Sequence, residues 1–424
     1  MFILRFLGYC AFIFLVAAGS YWGGMHQLLL PQGGAPDREK IAAYALERLS
    51  RQESIDIVGK FGRDLSRLNL AGLNLQGANL RGADLSYSNL RGTNLDGANL
   101  AGVNFQYTNL ERARLRGANL DHSNMSFSNA GKATFEGTTL ENVNLQYAML
   151  QNAYFHTARF LDCDLSYADM KGVVLSDATL EGSVLEGVDL GNANLQNANM
   201  VATNMLGADL NFADARSARF TSAVLEGAFI HRAQLQGADL SHASLREANL
   251  QRADLQNANL SGAQLQNANF TGANIWEANL EEVQAARANF SEAHLWDAKL
   301  THAMLDGAIF YRANLSGANA RHASVQFSNF NHATLENVIF EQANAQEANF
   351  KHASLQNMHG AGANFQDANF EEALLEKADF SRADLSRAKM DNTTVKNASF
   401  SEAVLSGVLG VEEETLRQVK AAGL

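Results

Sequence analysis

Proline is almost missing from this 424-residue sequence: Pro31 and Pro36 are the two it has, and none follows to the C-terminus. Proline has no amide hydrogen to give to a backbone ladder. A stretch that avoids it for so long suggests amides committed to one uninterrupted set of hydrogen bonds. Cysteine is equally scarce. Cys10 and Cys163 lie far apart, which excludes a disulfide framework and a metal site built from cysteine. Positive charge is in deficit, and a net charge of -12 excludes non-specific binding to nucleic-acid phosphates. Between Arg5 and Asp37 there is no charged residue at all.

That uncharged run marks the first 24 residues as a membrane-targeting segment. Val16-Ala17-Ala18 offers a small-residue cleavage site, which would release a secreted or periplasmic product. The run also continues past it to Tyr21 and Trp22, as an uncleaved anchor with an interfacial belt would. The expectation is an anchor, with Arg5 on the cytoplasmic side and the bulk of the chain beyond the membrane. Residues 25–36, with PQGGAP, read as a linker. Asp37 is placed to cap a helix on which Ile41, Tyr44, Ala45 and Leu49 share one face, so 37–63 is expected to be an amphipathic capping helix and its lead-in.

From Leu65 to Leu405 every fifth residue is large and apolar, except Ala130, Ala215, Ala285, Ala320, Ala345 and Gly360. Two residues earlier the side chain is usually small, as at Ala78, Ala83, Ser88 and Thr93. Five steps of a helix would smear these leucines around its axis, and on a flat strand an odd period would alternate them between faces. The chain must therefore turn every five residues, with the small residue and the leucine facing inward. Four such corners close a square coil of twenty residues. The spacing stacks Phe270, Phe290, Phe310, Phe330, Phe350 and Phe370 on one interior wall, and lets Met358 fill the hole left at Gly360. Asn and Asp before each leucine, such as Asn69, Asn74, Asn79 and Asp84, are suited to bonding the turn backbone.

The run GANLRGADLSYSNLRGTNLDGANL resembles the pentapeptide-repeat family, whose signature is A-(D/N)-L-x-x. The resemblance covers residues 64–408 and implies an all-β fold, a right-handed quadrilateral β-helix of about 17 coils. Short N- and C-terminal capping helices would close it, the latter over residues 409–424, where Glu412, Glu413 and Glu414 precede Arg417 and Lys420. In relatives such a C-terminal helix often forms a homodimer. The family also includes DNA mimics that bind DNA gyrase or a related topoisomerase.

Five rings, Tyr87, Tyr107, Phe127, Tyr147 and Tyr167, recur at one outward position on successive coils, and Trp276 and Trp296 form a shorter pair elsewhere. These seven are the candidate partner-binding residues, since an ordered exposed aromatic row marks a protein or glycan site unless it serves to stack the coils. His302 with His322, and His332 with His352, also repeat by twenty, but zinc wants four convergent ligands that the sequence does not supply. A filled, convex rod has no cleft in which Ser, His and Asp would converge for catalysis. No catalytic, cofactor or metal site is expected. The reading is a non-enzymatic scaffold on a bacterial inner membrane, with its repeats in the periplasm and an unidentified protein partner. The alternatives are a gyrase-binding DNA mimic and a glycan-binding surface. Against the mimic stand the arginines that interrupt its acidic walls and the absence of insertions between coils.

Overall fold

The computed structural model describes residues 37–410. The expected membrane segment (1–24), the linker (25–36) and the terminal helix beyond residue 410 lie outside them. Among the described residues no helix is long and apolar enough to cross a membrane.

Helix α1 (Arg38–Ser50) begins where Asp37 accepts a bond from the Lys40 amide at 2.8 Å, as its sequence position predicts. Its buried face, Ile41 and Ala45, packs into the continuous core that runs through the coils. A second helix, α2 (Ile57–Phe61), was not apparent in the sequence: five residues are too few to show periodicity, and its start is fixed by the Asp56 side chain accepting from the Gly59 amide at 3.0 Å. The ring of Phe61 meets that of Tyr44 edge-on at 5.6 Å, tying the two helices together. Asp56 bridges Asn79, so this lead-in pairs with the first coil and covers its edge.

Coil stacks on coil in parallel register, residue n beside residue n+20, from Asp64↔Asp84 to Lys389↔Leu409. The repeats thus reach Leu409, one residue past the expected boundary. Most pairings are single bridges. Only β1 (Thr139–Glu141) and β2 (Arg159–Leu161) lengthen into strands, with Leu140 opposite Phe160.

Residues 271–275 show why proline is excluded. The Thr271 amide donates to Asn269 Oδ1 (3.0 Å), Gly272 to the Ser291 carbonyl (2.9 Å), Ala273 to the Phe270 carbonyl across the turn (2.9 Å), Asn274 to Ala253 (2.9 Å) and Ile275 to His294 (2.7 Å). All five amides are used, one of them by the Asn that precedes the apolar residue. The third residue of each turn is left-handed, with φ of 65° at Gly272, as in a type II turn.

Inside, the predicted phenylalanine wall is present: from Phe270 to Phe370 successive rings stack at 4.7–5.0 Å and all six are fully buried. A Cβ at Gly360 would stand 2.9 Å from Met358 Cε and 3.1 Å from Phe365 Cε2, so those two side chains occupy the missing volume. Several buried hydroxyls at the small position reach back to a carbonyl of the preceding coil, as Ser88 Oγ does to Leu65 (2.9 Å) and Thr93 Oγ1 to Leu70 (2.8 Å), while Thr138 and Thr203 bond within their own turns. Cys163 takes the same place, its Sγ donating to the Leu140 carbonyl at 2.9 Å, and burial pushes its thiol up to about 12. A thiol so protonated is a packing element rather than a nucleophile.

Candidate functional site: the aromatic corners of the rod

The five rings that recur by twenty sit on a corner of the square rather than on a wall. Each is the third residue of its turn, with φ between 57° and 58°. Glycine fills this place in many other turns because a left-handed backbone costs it nothing, whereas an aromatic residue is strained there. The rings stack face to face along the rod: Tyr87 on Tyr107 at 5.0 Å, then Phe127 at 5.2 Å, Tyr147 at 5.1 Å and Tyr167 at 5.4 Å, with planes within 13° of parallel. Tyr87, Phe127 and Tyr167 remain 40–52% exposed.

Both ends of this stack are closed, by residues that sequence reasoning did not connect with it. The Arg67 guanidinium lies over the outer face of Tyr87, 5.7 Å from its centroid. At the other end the Tyr167 ring lies against Gly187, and its hydroxyl donates to Glu186 Oε1 at 2.8 Å. Arg67 and Gly187 occupy the same corner twenty residues before Tyr87 and after Tyr167, which is the signal that would have found them. With every ring face covered, the corner presents ring edges along five coils, most exposed at Tyr87, Phe127 and Tyr167.

A sequence profile described as "Pentapeptide repeats" matches in successive segments that run from residue 64 to residue 401. The chain belongs to the pentapeptide-repeat family. The stacked square coils are accordingly the right-handed β-helix of that family. Among solved structures, the pentapeptide-repeat rod is similar to HetL, a pentapeptide repeat protein involved in heterocyst differentiation regulation from Nostoc sp. strain PCC 7120. That match has 28% identity over 60% of this chain and 94% of HetL, with a TM-score of 0.33. A trypsin-treated variant of QnrB1, a plasmid-mediated fluoroquinolone resistance protein, matches at 16% identity over 56% of this chain and 94% of its own, with a TM-score of 0.19. A pentapeptide repeat protein from the Arabidopsis thaliana thylakoid lumen matches at 24% identity over 28% of this chain and 71% of its own, with a TM-score of 0.14. No curated protein matches this pentapeptide-repeat sequence.

Elsewhere on the pentapeptide-repeat surface, Trp276 and Trp296 share a different corner on consecutive coils, but the register brings only their backbones together. Among the described residues no ring stacking joins the two indoles, in contrast to the tyrosine corner, and they are 38% and 50% exposed. Phe327 stands on the tyrosine corner far along the rod, separated from the five rings by seven positions without a ring, Gly187 to Gly307, and joins no row.

The histidine pairs do stack, His302 on His322 at 4.9 Å and His332 on His352 at 4.6 Å, with planes within 8° of parallel. Imidazole nitrogens coordinate in the ring plane, so parallel rings direct their lone pairs side by side instead of toward a shared ion. Among the described residues no group of three or more His, Cys, Asp or Glu is arranged to hold a metal. A shallow groove at the N-terminal end, lined by Asp56, Arg63, Arg81, Asp121 and His122, mixes both charge signs and assembles no nucleophile with a base.

Acidic residues on the rod are largely engaged with neighbouring coils. Arg387 grips both Asp367 oxygens at 2.7 and 2.5 Å and holds that carboxyl below its usual range. Arg321 reaches Glu341 at 2.7 Å, and Arg116 reaches Glu136 at 2.9 Å. Asp209 goes the other way: burial raises it, and Asp189 on the coil before adds to the rise.

Proposed function

We propose that this protein is a non-enzymatic interaction scaffold: a rigid rod held at a bacterial inner membrane by residues 1–24, its repeats in the periplasm, that presents the tyrosine corner to a protein partner. The observation that carries this reading is the ordered exposed strip itself. Five aromatic residues stand in strained left-handed turns where glycine costs nothing, and they leave ring edges exposed along about 20 Å of the rod. A filled core supports a binding role over a catalytic one, since among the described residues no cleft lines up acid, base and nucleophile.

The closed stack weighs against a glycan surface, because sugars dock on open ring faces. The gyrase-binding mimic is the second reading. It is weakened by the inter-coil ion pairs that neutralise part of the acidic surface, and by a register without insertions from Asp64 to Leu409.

The test replaces Tyr107, Phe127 and Tyr147 together by Gly, which suits the backbone at all three positions. The variant is expected to fold and to lose the partner that co-purifies with the parent from membranes. Retention of that partner would remove the corner from the interface. Fractionation with protease added from the outer side tests the location: a rod found in the cytoplasm would reject the periplasmic scaffold and restore the gyrase reading.

A further inference from the structure

We infer that the corner bearing Trp276 and Trp296 binds arginine side chains of a partner segment; this deepens, and rests on, the reading of the rod as an interaction scaffold. Two consecutive coils place an indole and then a carboxylate at the same corner, Trp276-Glu277 and Trp296-Asp297. The backbone fixes them one coil apart, with the Glu277 amide donating to the Trp296 carbonyl at 2.9 Å. The tyrosine corner uses its ring faces on itself. Here the indoles do not stack, and both are exposed.

Neither carboxylate is drawn into an ion pair among the described residues, although that of Asp297 lies against Gly317 on the following coil. Among the described residues the ion pairs flanking this region are Arg246–Glu226 and Arg321–Glu341, and neither Glu277 nor Asp297 takes part in one. Glu281 and Glu282 at the next corner add charge of the same sign, against Lys299 on the wall between. An exposed indole followed at once along the turn by an acidic residue, repeated one coil on, is complementary to a guanidinium. That group is planar and weakly hydrated, and it stacks on indole while donating paired hydrogen bonds to a carboxylate. An ammonium offers a compact, strongly hydrated charge and gains less from the indole. Two such sites in line along the rod fit a segment carrying more than one arginine.

Trp22 is the only other tryptophan, so the full chain with Trp22→Phe reports on this corner alone through indole emission. Titration with a hexa-arginine peptide at low ionic strength is expected to give a saturable change. Affinity should fall at least about fivefold in the Glu277→Gln/Asp297→Asn double variant, and hexalysine should bind severalfold more weakly than hexa-arginine. Emission that does not saturate, a double variant that binds as the parent does, or equal affinity for hexalysine would each overturn the site. Melting followed by circular dichroism verifies that the double variant is folded. A rod that fails this titration yet loses its partner when the tyrosine corner is changed keeps the scaffold reading and rejects only this site. A rod that binds hexa-arginine but has no partner dependent on the tyrosine corner does the reverse.

Discussion

The ring of Tyr167 lies so close over Gly187 that a Cβ on the glycine would stand 2.7 Å from Tyr167 Cδ1 and Cε1. Glycine there does two things: it takes φ of 62° without strain, and it leaves room for the last ring of the stack. Gly207, on the same corner one coil on, has a similar φ of 64° and nothing within 4 Å of its would-be Cβ. Gly207→Ala is therefore expected to cost only the left-handed penalty, about 1–2 kcal/mol. Gly187→Ala should cost more, because the ring must also move. Equal losses in chemical denaturation would mean that Tyr167 yields freely and does not close the stack.

In the interior, Phe310 sits between Phe290 at 5.0 Å and Phe330 at 4.7 Å, fully buried. Phe310→Ala should lower stability by about 3–5 kcal/mol, as for other buried aromatics. In a one-dimensional stack the damage is local, so hydrogen exchange is expected to rise first in the coils around it and toward the C-terminal end. Unchanged exchange protection there would contradict the role of the wall in holding those coils.

Much of this was legible in the sequence because inward residues repeat without a register slip. Leu75 and Ala78 are buried where the period of five put them, and the Asn side chains bond the turn amides as their position suggested. The left-handed turn residue was less visible. Gly77 and Gly92 hinted at it, but residues as varied as Arg112, Lys132 and Phe212 adopt the same φ, since the ladder on either side fixes the backbone whatever the side chain. Nor did spacing alone tell which aromatic pairs stack. Tyr87 and Tyr107 share a corner and stack, while Trp276 and Trp296 share a corner and do not. The first pair occupies the left-handed turn position and the second the residue before it, a different point on the turn from which to project a ring. Buried Phe135 and Phe155 stack at 4.4 Å on the same twenty-residue spacing, and that pair was overlooked.

Each Asn before an apolar residue satisfies an amide that the ladder leaves over. Asn269 Oδ1 accepts both the Thr271 amide at 3.0 Å and the Thr271 hydroxyl at 2.7 Å. Asn269→Ala should cost about 1 kcal/mol, and Asn269→Asp, which keeps the acceptor, should recover most of it. An Asp variant no better than Ala in thermal melts would show that the turn does not depend on this acceptor.

Asp209 has a raised carboxyl because burial and the Asp189 charge disfavour its ionised form, although its Oδ1 accepts the Asn211 amide at 2.8 Å. A group raised in the folded state contributes stability that is present below its unfolded value, near 3.8, and is lost as pH rises through the folded value. At neutral pH the ionised group thus weighs on the fold. Asp209→Asn keeps the acceptor and removes the charge, so it should melt higher than the parent at pH 7, with the difference closing as pH falls toward 3.8. A variant that melts lower at pH 7 would contradict that sign.

The tyrosine corner sets two opposing terms against each other. A non-glycine residue in a left-handed turn costs about 1–2 kcal/mol, while each stacked aromatic pair returns about 0.5–1.5 kcal/mol. Replacing Tyr107, Phe127 and Tyr147 by Ser keeps the strain and removes all four stacked contacts, so it should lower stability by about 2–6 kcal/mol. Replacing the same three by Gly removes both terms, and the result should lie well above the Ser variant and near the parent. Denaturant titrations of the two variants side by side measure this. If the Gly variant falls as far as the Ser variant, the rings hold the coils together and their exposure is incidental. If it stays near the parent, stacking does no more than offset the strain of placing aromatics there, and the fold alone gives no reason for the row, which leaves recognition of a partner as its use.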